Sequence, residues 1–534
     1  MKSNIIIAFI FGCNLLSAQN FTRKDSLQGG FSLERMCFDV QHYDLDIKVD
    51  PEKQFISGSN TISFKMHQES STIQLDLFEN MKVDSILFEN KKLAFKREFG
   101  AVFVSFPSPL KVTDNILKLQ FFYSGNPIIA KNAPWDGGFV FSKDANNKPW
   151  IGVAVQGTGA SLWYPVKDSQ SDEPDRGALI KVAVPNGLMN VSNGRFKGNL
   201  DLKNGYTRWD WEVKNPINTY SITLNIGDYV HIHEKHNDVD LDYYVLRDNK
   251  EKTSIHFAEV KPMMDCFESK FGSYPFIEDG YKLIESNYLG MEHQSAVSYG
   301  NKYRKGYAGR DNSGTGIGMK FDFIIIHESA HEWFGNSITS RDIADMWIHE
   351  AFTTYAESVY IECQWGKKKA IEYINGQMKL VQNSSPVIGN YELNNKGSVD
   401  MYYKGTLILN TLRNSIDDDE KWWTILKKFA QTNRHKIVET EEVIAFFSSE
   451  TGWNLKPFFN QYLKHTSLPV LETKRVGTNF SYRWNTDVID FELPVYFLSE
   501  GKKIKIQPTN QWNTIKIKAN AKLNFPNELF YVKF

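Results

Sequence analysis

From Tyr43 to Val230 apolar and polar residues alternate in short runs: "YDLDIKVD", "ISGSNTISFKM", "TIQLDLF" and "NILKLQFFY", then "RWDWEVK" and "YSITLNIGDYV". A period of two sends successive side chains to opposite faces of a strand, and the Gly, Asn, Asp and Pro clusters between the runs supply turns. The pattern predicts an antiparallel all-β region of roughly 200 residues. The period then lengthens. "KPMMDCFESKFG" stops at Gly272, "FDFIIIHESAHEWFG" at Gly335 and "DIADMWIHEAFTTYAESVYIECQWG" at Gly366, each glycine standing where a helix end wants one. Helices also fit "GTLILNTLRNSI", "KWWTILKKFAQT", "TEEVIAFFSSETG" and "LKPFFNQYLKHT". From Leu468 the alternation returns in "SYRWNT", "FELPVYFL", "KKIKIQP", "TIKIKAN" and "LFYVKF". The expected class is therefore multidomain α+β: an all-β domain at 19–230, a mainly helical domain at 231–467 and a short β domain at 468–534.

Composition narrows this only a little. At 534 residues the chain exceeds a single core. Its 63 acidic and 62 basic residues nearly cancel, so no global charge argues for nucleic acid or an anionic membrane. The first residues, "MKSNIIIAFIFGCNLLSAQN", change the picture more. Lys2 gives a positive start, Ile5 to Leu16 a short apolar run, and Ser17-Ala18 small residues for cleavage. That is the layout of a signal peptide at 1–18, too short to span a bilayer, and it predicts a secreted or periplasmic protein. Lipid attachment at Cys13 is the alternative, opposed by bulky Phe11 and by the apolar run that continues past it. No later run has the ~18 apolar residues of a membrane span. Beyond the leader Cys37, Cys266 and Cys363 form an odd, scattered set. Neither a disulfide framework nor a thiolate metal site is expected, so any metal has to use nitrogen and oxygen ligands.

The candidate chemistry lies in "HESAH", His327 to His331. Histidines four apart share one helix face and can converge on one ion, the arrangement of H-E-x-x-H zinc peptidases. Glu328 can then reach a water on that ion without being a ligand. A hydrolytic zinc site wants three protein ligands and an open position. Glu350, after eighteen intervening residues, is the candidate third ligand, with Asp342, Asp345, His349 and Glu357 as rivals. The bland alternative is two histidines on a solvated helix face. The apolar run Phe323 to Ile326 argues for a buried helix instead, where an unpaired His-Glu-His group is costly.

"HESAHEWFGNSIT" followed by "MWIHEAFTTYAE" resembles the gluzincin metallopeptidases of the aminopeptidase N and leukotriene hydrolase family. "QGTGASLWYPVKD", "VPNGLMNVSNG" and "FGSYPF" extend the resemblance over nearly the whole chain after the leader. It implies a thermolysin-like catalytic domain with one zinc ion on His327, His331 and Glu350, and Glu328 as general base. Glu292 in "GMEHQ" matches the glutamate of the family's G-x-M-E-N motif, which binds a substrate's free α-amine. Gln156, nine residues before Pro165, matches a second amine contact. Tyr402 in "YYKG" matches the tyrosine of Y-x-K-G, which stabilises the tetrahedral intermediate; neighbouring Tyr403 is its rival on composition alone. The chain departs from the family at Leu289 and His293, which flank the amine-binding glutamate, and at His349 and Ala351, which flank Glu350. The large helical C-terminal domain of many relatives is not expected here, leaving the cleft more open on that side.

The resemblance implies an aminopeptidase acting on peptides with a free N-terminus. Zinc lowers the pKa of bound water from ~15.7 towards ~7, Glu328 carries protons, and a phenol donates to the oxyanion. A carboxylate that pairs with the terminal ammonium disfavours internal bonds, which would leave it unpaired. Rival readings are an epoxide hydrolase, since leukotriene hydrolases share the site, an endopeptidase, and a peptide-binding relative that does not turn over. Retention of base and oxyanion donor argues against the last.

Overall fold

The computed structural model describes residues 21–534, so the leader expected at 1–18 and Cys13 lie outside the described residues. The N-terminal part is built on an eight-stranded sheet. Its spatial order is Arg195–Asp201, Tyr206–Val213, Ala178–Pro185, Phe38–Asp50, Phe55–Met66, Leu117–Gly125, Met81–Phe88 and Lys91–Lys92. Along Phe38–Asp50 the alternation reads directly as burial: Tyr43, Leu45, Ile47 and Val49 face the core and Lys48 faces out. One pairing corrects the antiparallel expectation. Phe38–Asp50 and Ala178–Pro185 run parallel, with Tyr43 opposite Ala178. A hairpin forces antiparallel neighbours, but these strands are joined by a long excursion through other sheets, which frees the direction of return.

The second part surrounds a mixed five-stranded sheet, ordered Tyr229–His236, Val239–Leu246, Tyr281–Glu285, Val297–Tyr299, Gly290–Met291. The sequence pattern does not show the central strand because all of Tyr281–Glu285 is buried; a strand covered on both faces loses its alternation. The helices Val260–Phe271, Phe323–Ala330, Trp347–Trp365, Asp400–Ile416, Asp419–Thr432, Thr440–Thr451 and Lys456–Lys464 share one hydrophobic core with this sheet, and Phe323–Ala330 lies directly against it. Helix Lys367–Gln377, unforeseen in the sequence, starts directly after Gly366, where the chain turns with φ 86°.

Two further expectations need correction. Cys266 and Cys363 form a disulfide across a 97-residue separation, with Cα atoms 6.1 Å apart, while Cys37 is free and buried. Sequence spacing could not show this, because two helices bring the residues together. "LFYVKF" is not a strand; among the described residues its ladder contact is one isolated bridge, Lys533 to Val470. Its alternation comes from docking onto helices: the Tyr531 amide donates to Thr411 Oγ1 at 2.8 Å, and the Tyr462 hydroxyl donates to the Tyr531 carbonyl at 2.8 Å. The other C-terminal strands form two three-stranded sheets that share the hydrophobic core of the helical part, through Leu471, Trp484 and Phe497. No helix among the described residues is long and apolar enough to cross a membrane.

Candidate active site and metal centre

Helix Phe323–Ala330 begins on Asp322, whose carboxylate accepts from the Ile324 amide at 2.9 Å, and ends at His331. The next turn opens at Phe334 and Gly335 (φ 124°). That break swings the Phe334 carbonyl back to accept from His331 Nδ1 at 2.9 Å, with Thr353 Oγ1 also 3.2 Å from the same nitrogen. His327 Nδ1 is bonded to Glu357 Oε1 at 2.8 Å, and Glu357 is held in turn by Tyr373 at 2.7 Å and Gln377 at 3.1 Å. Each imidazole is thus fixed through Nδ1, leaving Nε2 directed at a common point; such outer partners orient metal-binding histidines.

Glu350, one turn into helix Trp347–Trp365, completes the group. Its Oε2 lies 3.7 Å from His327 Nε2 and 3.5 Å from His331 Nε2, and this buried oxygen has no hydrogen-bond partner. Its Oε1 accepts from the Tyr402 hydroxyl at 3.0 Å. Two nitrogens and one orphaned carboxylate oxygen at these spacings fit a tetrahedral ion with bonds of about 2.0–2.2 Å. The rivals for third ligand are all engaged elsewhere. Asp342 accepts from the Ala344 amide at 2.9 Å, Asp345 from Thr440 Oγ1 at 2.6 Å, and His349 Nε2 from the Ser340 amide at 2.8 Å. A second group among the described residues, His231, His233 and Asp242, is on the opposite edge of the sheet, and both its histidines are exposed.

Tyr402 reaches this point because helix Asp400–Ile416 crosses Trp347–Trp365 closely. A Cβ on Gly405 would lie 2.4 Å from that of Ala351, so the crossing requires a glycine. The crossing sets Tyr402, one turn earlier, over Glu350. Tyr403 points away from the cleft, towards Glu357 and Asn312.

The short strand Gly290–Met291 forms the opposite wall. A Cβ on Gly290 would come within 2.8 Å of Glu328 Oε1, so the strand can lie against the site helix only with glycine there. Glu292 follows it. Carboxylate oxygens of Glu292 and Glu328 and a ring nitrogen of His331 all lie within 4.8 Å of one another. Gln156 Nε2 donates to Glu292 Oε1 across the junction of the two parts, and the Tyr220 hydroxyl donates to the same oxygen at 3.2 Å. Asn336 Nδ2 holds the Glu292 carbonyl at 2.8 Å. Burial raises the pKa of Glu292 and also that of Glu328. The structure therefore brings His327, Glu328, His331, Glu350, Glu292, Gln156 and Tyr402 to one cleft, which Pro134, Trp135 and Lys396 also line. Sequence reasoning took Tyr220 only as the start of a strand, whereas it lies in a short 3-10 turn, Thr219–Ser221, ahead of the strand Leu224–Gly227, and it saw Glu357 only as a rival ligand.

Residues 39–221 match the Peptidase M1 N-terminal domain, and residues 256–462 match the Peptidase family M1 domain. The chain belongs to peptidase family M1. Among M1 relatives, Aminopeptidase N of Lactobacillus helveticus is 21% identical over 463 residues, covering 81% of this chain and 52% of its own. Tricorn protease-interacting factor F2 of Thermoplasma acidophilum is 22% identical over 280 residues, covering 49% of this chain and 35% of its own. The chain thus spans about half the length, or less, of these curated relatives. A solved M1 zinc metallopeptidase from Deinococcus radiodurans, with a Tyr-Ser-Ala substrate bound, shares the fold. The TM-score is 0.69 at 21% identity, covering 83% of this chain and 98% of that one. Membership of M1 implies zinc, and the His327-His331-Glu350 group can hold it.

The departures from the M1 motif now have places. Leu289 packs on the hydrophobic core, and His293 is fully buried with Nδ1 3.1 Å from Ser298 Oγ. Burial pushes the His293 imidazole down to about 3, so it is neutral. Neither residue lines the cleft.

Proposed function

We propose that this protein is a zinc metallo-aminopeptidase that removes single N-terminal residues from peptides. The observation that carries the reading is the Gln156–Glu292 pair in the same cleft as the metal group, within one residue's reach of it. A terminal ammonium can donate to Glu292 and to the free carbonyl oxygen of the Gln156 amide, and charge-assisted bonds of this kind are among the stronger polar contacts. With the amine held there, the first peptide bond meets the metal group and later bonds do not.

His327, His331 and Glu350 would hold the zinc ion, which when bound would supply Lewis-acid polarisation and a more acidic water. Glu328 takes the proton of the attacking water and returns it to the departing amine. Tyr402 exchanges its bond to Glu350 for one to the carbonyl oxygen as negative charge grows there. The buried walls exclude bulk water, which strengthens each of these contacts.

Support for an exported protein comes from the leader-like N-terminus and from the Cys266–Cys363 disulfide, since such bonds persist in oxidising compartments. No observation in the cleft favours an epoxide substrate. The deciding experiment compares hydrolysis of free and N-acetylated aminoacyl amides, with and without a chelator. Chelator-sensitive cleavage confined to the free amine is expected; equal rates on both substrates would remove the amine anchor.

A further inference from the structure

Among the described residues Lys396 is the one basic side chain other than histidine that lines the cleft, beside Glu292, Glu328 and Glu350. It is exposed and forms no salt bridge among the described residues. Its position in the cleft can be fixed from Gly157. A Cβ built there would lie 3.8 Å from Lys396 Nζ, and Gly157 adjoins Gln156, which is bonded to Glu292. The ammonium therefore stands on the side of the cleft that carries Gln156 and, through it, Glu292.

The loop that carries it is tightly determined. A Cβ on Gly389 would lie 1.9 Å from the Asn395 carbonyl oxygen, and one on Gly397 (φ 78°) 2.2 Å from that of Val387, so the two arms of the loop touch. Asn395 Oδ1 accepts from the Asn390 amide at 2.8 Å. The Glu392 amide donates to Asp342 at 2.8 Å, and the Asn394 amide to the Asp25 carbonyl at 3.2 Å. These contacts hold the backbone at Lys396, while its side chain keeps no anionic partner.

We infer that Lys396 forms an anionic subsite, selecting substrates whose first residue is aspartate or glutamate and disfavouring lysine or arginine there. The inference rests on the aminopeptidase reading. With the α-amine on Glu292, only the amine and the first side chain of a substrate occupy this end of the cleft. A first-residue carboxylate meets an ammonium without a salt-bridge partner at the edge of the cleft, whereas a first-residue cation meets like charge. The competing explanation is that Lys396 merely offsets the three nearby carboxylates. That role would change rates on all substrates alike; selection changes their ratio.

The test measures kcat/KM for glutamyl, leucyl and arginyl p-nitroanilides on zinc-loaded wild type and the variants K396Q, K396E and K396R. In parallel, calorimetry follows binding of free L-glutamate, L-leucine and L-arginine. K396Q is expected to lower the glutamyl-to-leucyl ratio about three- to fivefold, the size of one exposed charge contact. K396E is expected to invert the glutamyl-to-arginyl order, and K396R to keep it. The amino-acid affinities are expected to move in the same sense. Ratios and affinities that stay constant across the variants would overturn the subsite. If wild type cleaves none of the three substrates, the aminopeptidase reading fails instead, and the calorimetry still decides whether Lys396 selects an anionic side chain.

Discussion

Glu292 is 3% exposed, faces the cleft, and has neutral side-chain donors, Gln156 and Tyr220, as its carboxylate's hydrogen-bond partners. A cationic amine is the partner it lacks. Glu292→Ala should cut kcat/KM on aminoacyl amides by about 30–100-fold, the loss of one charge-assisted contact, with zinc content by atomic absorption unchanged. Loss of zinc would reassign Glu292 to the metal. Tyr402→Phe should lower kcat by about 10²–10³ with little change in KM, because in the proposed mechanism the phenol would bond the carbonyl oxygen only as charge develops. Both residues were reachable from sequence because each stands in a motif. Tyr220 and Lys396 were not: turn and loop residues converge on the cleft from distant places, and no local pattern records that convergence.

Helices carried the most legible signal. Gly272 and Gly366 stand at helix ends with φ 98° and 86°, while Gly335 (φ 124°) lies in the break four residues past the helix end at His331. What stayed hidden were elements without periodicity, such as the doubly covered strand Tyr281–Glu285, and contacts set by packing, such as the Cys266–Cys363 bond. The crossing at Gly405 shows how much rests on one missing atom. Gly405→Val should force the two helices apart, lowering stability by about 1–3 kcal/mol in denaturant titration and lowering activity through the displaced Tyr402. Serine at both Cys266 and Cys363 should cost about 2–4 kcal/mol by the same measurement, because the bond closes a long loop in the unfolded chain. No loss of stability would show that the two thiols do not pair in solution.

At the scale of the molecule the β part and the catalytic part meet along a polar seam. Gln170 Nε2 donates to Ser340 Oγ at 3.0 Å, Asn193 Nδ2 to the Gln294 carbonyl at 2.7 Å, and the Gly194 amide to Ser295 Oγ at 2.8 Å. Glu173 lies in the same seam beside Thr339, and burial pushes its carboxyl from 4.5 up to about 7. The folded chain thus keeps this proton while the unfolded chain has already released it. Between pH 4.5 and about 7 the unfolded state binds fewer protons, so this group's contribution to stability declines as pH rises across that window. Glu173→Gln removes the slope. Its melting temperature relative to wild type should therefore be higher at pH 8 than at pH 5, and a difference independent of pH would show that Glu173 is not held protonated.

Gln156 belongs to one side of that seam and Glu292 to the other, yet a substrate's amine would be gripped by both. A bound chain end is therefore also an interdomain staple. Amino acids and short peptides should slow proteolytic nicking where the two parts join and raise the melting temperature as their concentration climbs past the dissociation constant. Under the proposed function, recognition of a peptide's first atom and closure of the two-part body would be one equilibrium, so loosening the seam far from the metal would also weaken the hold on substrate.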